Sequence, residues 1–358
     1  MSPGELTPAS VRELASGIDA LYLSGRAQLS DSLLDGLEAA KSRAQASGES
    51  VAFEFGGVAF EVAPHGWGRY PYRLAHQHGL IGLTGSSHLP AVRVQLRAEF
   101  IHGLGAEGAA QVFVDVLGWA LGRLELTVSR ADLFADFQGW PLTAEDRTRF
   151  VTRATHRNTF EKHGLLRGLV FGRRTGGALS ARIYDKTAEM AKSGATWLLD
   201  EWGAAYQPDE RVLRVEFEFG RTVLRELGVN RLGELFAKLG GLWAYATEDW
   251  LSFRSVGADD TKSRWDVAPE WASVTRASLR GDAVGLERVA RATRAAALWH
   301  VRNGLRGYAI SYAALNGVRD SAVMGRCLTA ELKEHEKLTG NPFEVLAERR
   351  CQQRGWCE

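Results

Sequence analysis

Ala178-Leu179-Ser180-Ala181-Arg182-Ile183-Tyr184-Asp185-Lys186 reads as a short strand. Strand side chains alternate with period two, so Arg182, Tyr184 and Lys186 share one face. A phenol between two cations is unusual in a core and natural where a phenol must meet a phosphate. Two more strands carry the same kind of pattern. Leu124–Phe137 (LELTVSRADLFADF) puts Arg130, Asp132, Phe134 and Asp136 on one side. Arg211–Phe219 (RVLRVEFEF) puts Arg214, Glu216 and Glu218 opposite Val215, Phe217 and Phe219. A short helix leaves the first of these strands over Thr187–Lys192, and another leaves the third from Arg221 to Leu227.

Working outward, VAFEFGGVAFEVAP from Val51 alternates around Gly56-Gly57 and signals a β-hairpin. Further strands are expected at Leu80–Leu83, Val92–Arg97 and Gly168–Gly172. Residues 106–122 read as a helix packing Val112, Val116 and Trp119. Pro141 to Thr155 reads as another helix, with Glu145 and Asp146 suited to its first turn. Residues 8–46 show helical spacing in Val11, Leu14, Ile18, Leu21, Leu33, Leu34 and Leu37. Beyond about residue 230 strand signals fade and helix-period segments follow. The expected class is therefore α+β, a mainly antiparallel sheet with flanking helices. The expected organisation is an N-terminal helical segment (1–50), an α+β domain (51–235) and a helical C-terminal region (236–358).

The chain has 358 residues, 45% hydrophobic and 24% charged, the balance of a soluble globular protein. No apolar run approaches the length of a membrane span, and no basic segment precedes an apolar one at the N-terminus. Cys327, Cys351 and Cys357 lie near the C-terminus, which argues against a disulfide framework and fits a cytoplasmic location. The net charge of +1 hides an uneven spread: Arg147 to Lys192 holds eleven Lys or Arg against three Asp or Glu. Such a stretch is either a solvated face or a footprint for a polyanion.

Charged residues at alternate positions of apolar strands are costly if buried and unpaired. The face is therefore either solvated and laced with ion pairs, or it receives an ion or ligand. Converging carboxylates suit a hard cation such as Mg²⁺ or Mn²⁺. A phenol can attack a phosphodiester and form a phosphotyrosine linkage, which conserves the bond for later rejoining. His76-Gln77-His78 reads as a loop, and Gly172–Gly177 as a basic hairpin turn that lacks the Gly-Lys-Ser/Thr of a P-loop.

Three stretches together resemble the replication initiation factor family, the initiators of rolling-circle replication and related mobile-element relaxases. Ser129-Arg130-Ala131-Asp132-Leu133-Phe134-Ala135-Asp136 is similar to its T-R-I-D-L-A-x-D segment. Val170-Phe171-Gly172-Arg173-Arg174 followed by Arg182-Ile183-Tyr184-Asp185-Lys186 is similar to its Y-x-G-S-R … R-I-Y-(D/N)-K. Arg214-Val215-Glu216-Phe217-Glu218 resembles its R-x-E-x-x strand. Order and spacing agree over residues 50–240, with departures at Ala131, Val170 and Arg173. The resemblance implies a metal-dependent strand-nicking and rejoining endonuclease, with Tyr184 as nucleophile assisted by Arg182 and Lys186. It implies Mg²⁺ or Mn²⁺ on Asp132, Asp136 and Glu216, and DNA contacts from Arg130, Arg173, Arg174 and Arg214. The implied partners are origin DNA, a host helicase and a second copy in a homodimer, with no membrane. A non-catalytic DNA-binding regulator of the same fold is the alternative.

Overall fold

The computed structural model describes residues 11–122, 124–173, 178–281, 283, 286, 302, 305 and 309–354. Its spine is a strand of 15 residues, β1 (Arg12–Arg26). Helix α1 (Asp31–Ser47) follows, then β2 (Val51–Phe55), β3 (Val58–Val62), β4 (Tyr72–His76), β5 (Gly79–Leu83) and β6 (Val92–Leu96). Helices α2 (Ala98–Leu104) and α3 (Ala106–Leu121) lead to β7 (Glu125–Gln138). After it come β8 (Phe150–Thr152), β9 (Arg157–Lys162), β10 (Leu165–Phe171) and β11 (Leu179–Asp185). Helices α4 (Lys186–Ser193) and α5 (Leu198–Trp202) precede β12 (Leu213–Gly220). The remaining elements are α6 (Arg221–Glu226), α7 (Leu232–Ala237), α8 (Leu239–Ala244), β13 (Leu251–Phe253), α9 (Pro269–Thr275), α10 (Ser321–Thr339) and α11 (Phe343–Arg354).

The class is α+β, as the alternation predicts. Eleven strands form one sheet in the order β2-β3-β4-β5-β6-β1-β7-β12-β11-β10-β9, and β13 pairs with β8 separately. Neighbouring strands run antiparallel. The β2–β3 hairpin turns through Gly56 (φ 60°) and Gly57 (φ 76°), the left-handed pair that a two-residue turn requires. One sheet face is apolar. Leu21, Leu23, Val94, Leu133, Phe137, Ile183, Val215 and Phe217 are buried in a single core with Leu37 of α1 and Phe113 of α3. Trp243 packs edge-on to Phe217 at 5.4 Å, and Trp271 edge-on to Phe150 at 6.0 Å. These indoles belong to the segment expected to be a separate helical region. They close the core of the sheet, so the first compact unit is Met1–Val289 rather than ending at 235.

The second unit is Ala290–Glu358, whose described elements are helical. Within it, α10 is capped by the Asp320 carboxylate, which accepts from the Val323 amide at 2.8 Å. Cys327 is a free thiol. No helix among the described residues is long and apolar enough to cross a membrane.

The first helix prediction fails over β1, and the reason is a β-bulge. The register with β7 shifts between Ile18 and Ala20, leaving Asp19 as an extra residue. The bulge lets Ile18 and Leu21, three apart, point into the same core, which mimics helical spacing. Residues 141–155 form only a 3₁₀ turn (Glu145–Arg149) before β8. On α3, Val116 is buried as expected, but Trp119 is 83% exposed.

Candidate active site

The other face of the sheet carries the charge. Pairing places β12 between β7 and β11 and lines the side chains up in rows. Tyr184, Arg214, Asp136 and Ala15 make one row; Arg182, Glu216, Phe134 and Gly17 make the next; Ser180, Glu218, Asp132 and Ala20 the third. Gly220, Arg130 and Tyr22 make the fourth. The small residues of β1 leave space for the long polar ones beside them.

The centre of the face is half-open. The Tyr184 hydroxyl donates to Glu216 Oε2 at 2.9 Å. Arg182, 27% exposed at its side chain, pairs with Glu216 Oε1 and lies over the Tyr184 ring at 5.3 Å. Burial and the Glu216 charge push the Tyr184 phenol well above its ordinary value, so it is protonated at neutral pH. Arg130 Nε donates to Asp132 Oδ1 at 2.7 Å and its Nη2 lies 2.9 Å from Glu218. Burial and the charges of Glu216 and Glu218 outweigh the Arg130 contact and push Asp132 up to about 7.

Beside Tyr184 is a cavity of about 580 Å³, lined by Arg167, Arg173 and Arg182 together with His156, Asn158 and Phe160. Gly168 on β10 lies opposite Tyr184, and a Cβ there would meet the Tyr184 Cβ at 3.3 Å. The glycine keeps the wall beside the phenol thin. The cavity is a cationic recess with a phenol in its side, the right chemistry for a phosphodiester.

The adjoining part of the face, over β12, β7 and β1, is sealed. Arg214 is fully buried, with Nε and Nη2 each 2.7 Å from Asp136 and Nη1 2.5 Å from Asp19. Its guanidinium lies over the Phe134 ring at 4.0 Å. Trp202 of α5 also donates to Asp136, at 2.8 Å. His102 of α2 bridges Asp19 (3.3 Å) and Glu201 (2.5 Å). Burial alone would lower the His102 pKa, but these two carboxylates outweigh it and hold the imidazole above its ordinary 6.5. Against its own burial penalty, Asp19 is held well below the usual carboxylate range by Arg214 and His102.

The sequence-predicted residues therefore divide. Tyr184, Arg182, Glu216, Asp132 and Arg130 come together at the centre of the face, with the Asp132 and Glu216 carboxylates buried, and Arg173 lines the cavity. Lys186 is buried at the start of α4, bonded to Glu189 at 2.7 Å, with its amine 5.8 Å from the Tyr184 ring centroid. Arg174 lies outside the described residues. Two expectations are corrected. Arg214 cannot line a DNA surface, because its guanidinium is enclosed and clamped. Asp136 does not suit a metal, because both oxygens are engaged by Arg214 and Trp202. Among the described residues no group of three or more His, Cys, Asp or Glu side chains is set to hold a metal ion. His76 and His78 form an aromatic stack with Phe60 and Phe100.

Sequence reasoning did not single out Asp19, His102, Glu201 or Trp202, which belong to the sealed part, nor Arg167, His156, Asn158 and Phe160 at the cavity. A charged residue in the apolar run of β1 was the available signal for Asp19. The sequence matches no family model and no curated protein. The fold is similar to a rolling circle replication initiator protein from Geobacillus stearothermophilus, at 14% identity and a TM-score of 0.44, over 76% of this chain and 98% of that chain.

Proposed function

We propose that the protein nicks and rejoins a DNA strand through Tyr184, as an initiator of rolling-circle replication or a relaxase. One observation carries this reading: a protonated phenol, hydrogen-bonded to the Glu216 carboxylate, opens onto a recess lined by three arginines. In the forward step the Tyr184 oxygen bonds to phosphorus and the P–O3′ bond breaks. The phenol proton passes to Glu216, and the departing oxygen takes a proton from solvent to become a 3′-hydroxyl. The product is a 5′-phosphotyrosine, and the reverse reaction closes the strand. Arg182 and Arg173 stand ready to hold non-bridging phosphate oxygens. Origin DNA, a host helicase and a second copy of the chain are the partners this reading carries.

A divalent ion finds no ready three-carboxylate cage in this arrangement, and no step is written through it. Asp132, Glu216 and Glu218 are the acids it would draw away from Arg130 and Arg182. A second reading, a DNA-binding regulator without nicking, is favoured by one feature: Asp132 and Glu216 are already paired with arginines.

Supercoiled DNA carrying the cognate origin, incubated with Mg²⁺, Mn²⁺ or EDTA, separates the two. Nicked circles with protein attached are expected from the wild type, and neither from Tyr184→Phe. Normal nicking by the Phe variant rules out this nucleophile. Tight origin binding without any nicking establishes the regulator instead.

A further inference from the structure

The charged face continues past Arg130 onto β1, β6 and β5, and its side chains there are unclaimed by the nicking chemistry. Arg130 lies over the Tyr22 ring at 5.0 Å. Arg93 of β6 lies over the same ring, 5.6 Å from its centroid, and over the Trp67 ring at 4.3 Å. Trp67, Arg93, Tyr22 and Arg130 thus form a ladder of alternating rings and guanidinium groups, all half-buried.

Two features set this ladder apart from ordinary packing. Among the described residues the Arg93 guanidinium has no hydrogen-bond or ion-pair partner; two rings hold it instead. The next cation in its row, Arg73, pairs across Gly82, and its Nε is buried without a hydrogen-bond partner. Gly82 between them lets Trp67 and Tyr70 lie close on the sheet, since a Cβ there would meet their side chains at 3.1 and 3.0 Å. Arginines that support only structure are normally paired with acids, as Arg214 is with Asp136 and Asp19. Unpaired guanidinium groups flanked by rings match the chemistry of a nucleic-acid strand: phosphate for the fork, base faces for the rings.

We propose that the Trp67–Arg93–Tyr22 ladder, with Arg73, is a binding track for single-stranded DNA. It lies four strands and four rows from Tyr184, about 30 Å at the usual strand and residue spacings. This rests on the strand-nicking reading: the track would hold the same strand at a distance from the nick. A duplex is a poorer fit, because its base faces are stacked on one another and unavailable to Tyr22 and Trp67.

The test is fluorescence anisotropy of the full chain with a labelled 20-nucleotide oligo(dT), against a duplex of equal length, over a series of salt concentrations. Arg93→Gln and Trp67→Ala are each expected to weaken oligo(dT) binding about fivefold or more. Arg93→Gln is also expected to reduce the salt slope by about one. Circular dichroism and melting confirm that each variant is folded, and Arg93→Lys serves if Arg93→Gln does not fold. Binding within twofold of wild type in folded variants overturns the track, as does equal weakening of single-strand and duplex binding. The nicking assay keeps the two ideas apart. Variants that bind normally while wild type nicks through Tyr184 remove the track alone. Weakened oligo(dT) binding in a protein that never attaches to DNA removes the nicking reading alone. Retention of oligo(dT) together with capture of an acidic peptide on the same residues assigns the surface to a protein partner and overturns the proposal.

Discussion

Two adjoining parts of one charged sheet face make opposite use of the same residue types, although Arg214 pairs directly across from Tyr184. In one part Arg214, Asp136 and Asp19 lie under Trp202 and His102, with no solvent at the guanidinium. At the other, Arg182 and Tyr184 face a recess of about 580 Å³, with the buried Glu216 behind them. Both parts have an arginine and a carboxylate on adjacent strands in register. What differs is the cover. Helices α2 and α5 close the first part, and the thin wall at Gly168 opens the second. Enclosure turns an ion pair into a fixed brace, whereas exposure leaves the same pair able to exchange partners with a phosphate.

Substitutions that respect this division should separate function from stability. Tyr184→Phe should lower strand nicking by roughly 10³-fold or more while the melting temperature moves little. A large loss of stability in that variant would make the open part a brace as well. Asp136→Ala should act the other way. It leaves a buried guanidinium without its main partner and should cost about 3–5 kcal/mol by denaturant unfolding. A cost below about 1 kcal/mol would mean that water reaches Arg214.

Filling the open part is a finer test. Gly168→Leu puts a side chain against Tyr184 and should reduce nicking roughly 10–100-fold, by displacing the phosphate rather than unfolding the sheet. Arg173→Ala, at the rim, should weaken DNA binding only a few-fold and lower the salt slope by about one.

The smallest expected effect is on pH, at the sealed part. The folded-state pKa of His102 is raised above 6.5 by Asp19 and Glu201. Its contribution to stability is then fully present below about 6.5 and lost as pH rises through the folded value. Melting curves across pH 5 to 9 should show that decline in the wild type, and a flatter profile in His102→Gln. An unchanged profile would place His102 neutral between its two carboxylates.

Much of this arrangement is legible in the chain. The alternation in β7, β11 and β12 places Tyr184 on a charged face, and the β2–β3 hairpin is announced by Gly56-Gly57. The sequence carries no strand signal over β9 and a misleading helical one over β1, for two different reasons. Arg157–Lys162 is exposed along its whole length, so it has no apolar face to alternate. In β1 the bulge at Asp19 breaks the phase on which a period-two reading depends. The same bulge aims Asp19 at Arg214, so the missed strand and the missed site residue are one event.

The sequence by itself determined which side chains share a face, because period two is a property of the extended backbone. It also determined that Tyr184 stands among cations. Only the tertiary structure decided that β12 lies between β7 and β11, that Asp136 and Arg214 are sealed, and that Arg182 and Tyr184 meet a cavity. Strand neighbours and covering helices are set by long-range packing of the opposite, apolar face, and the alternation of any one strand carries no record of them.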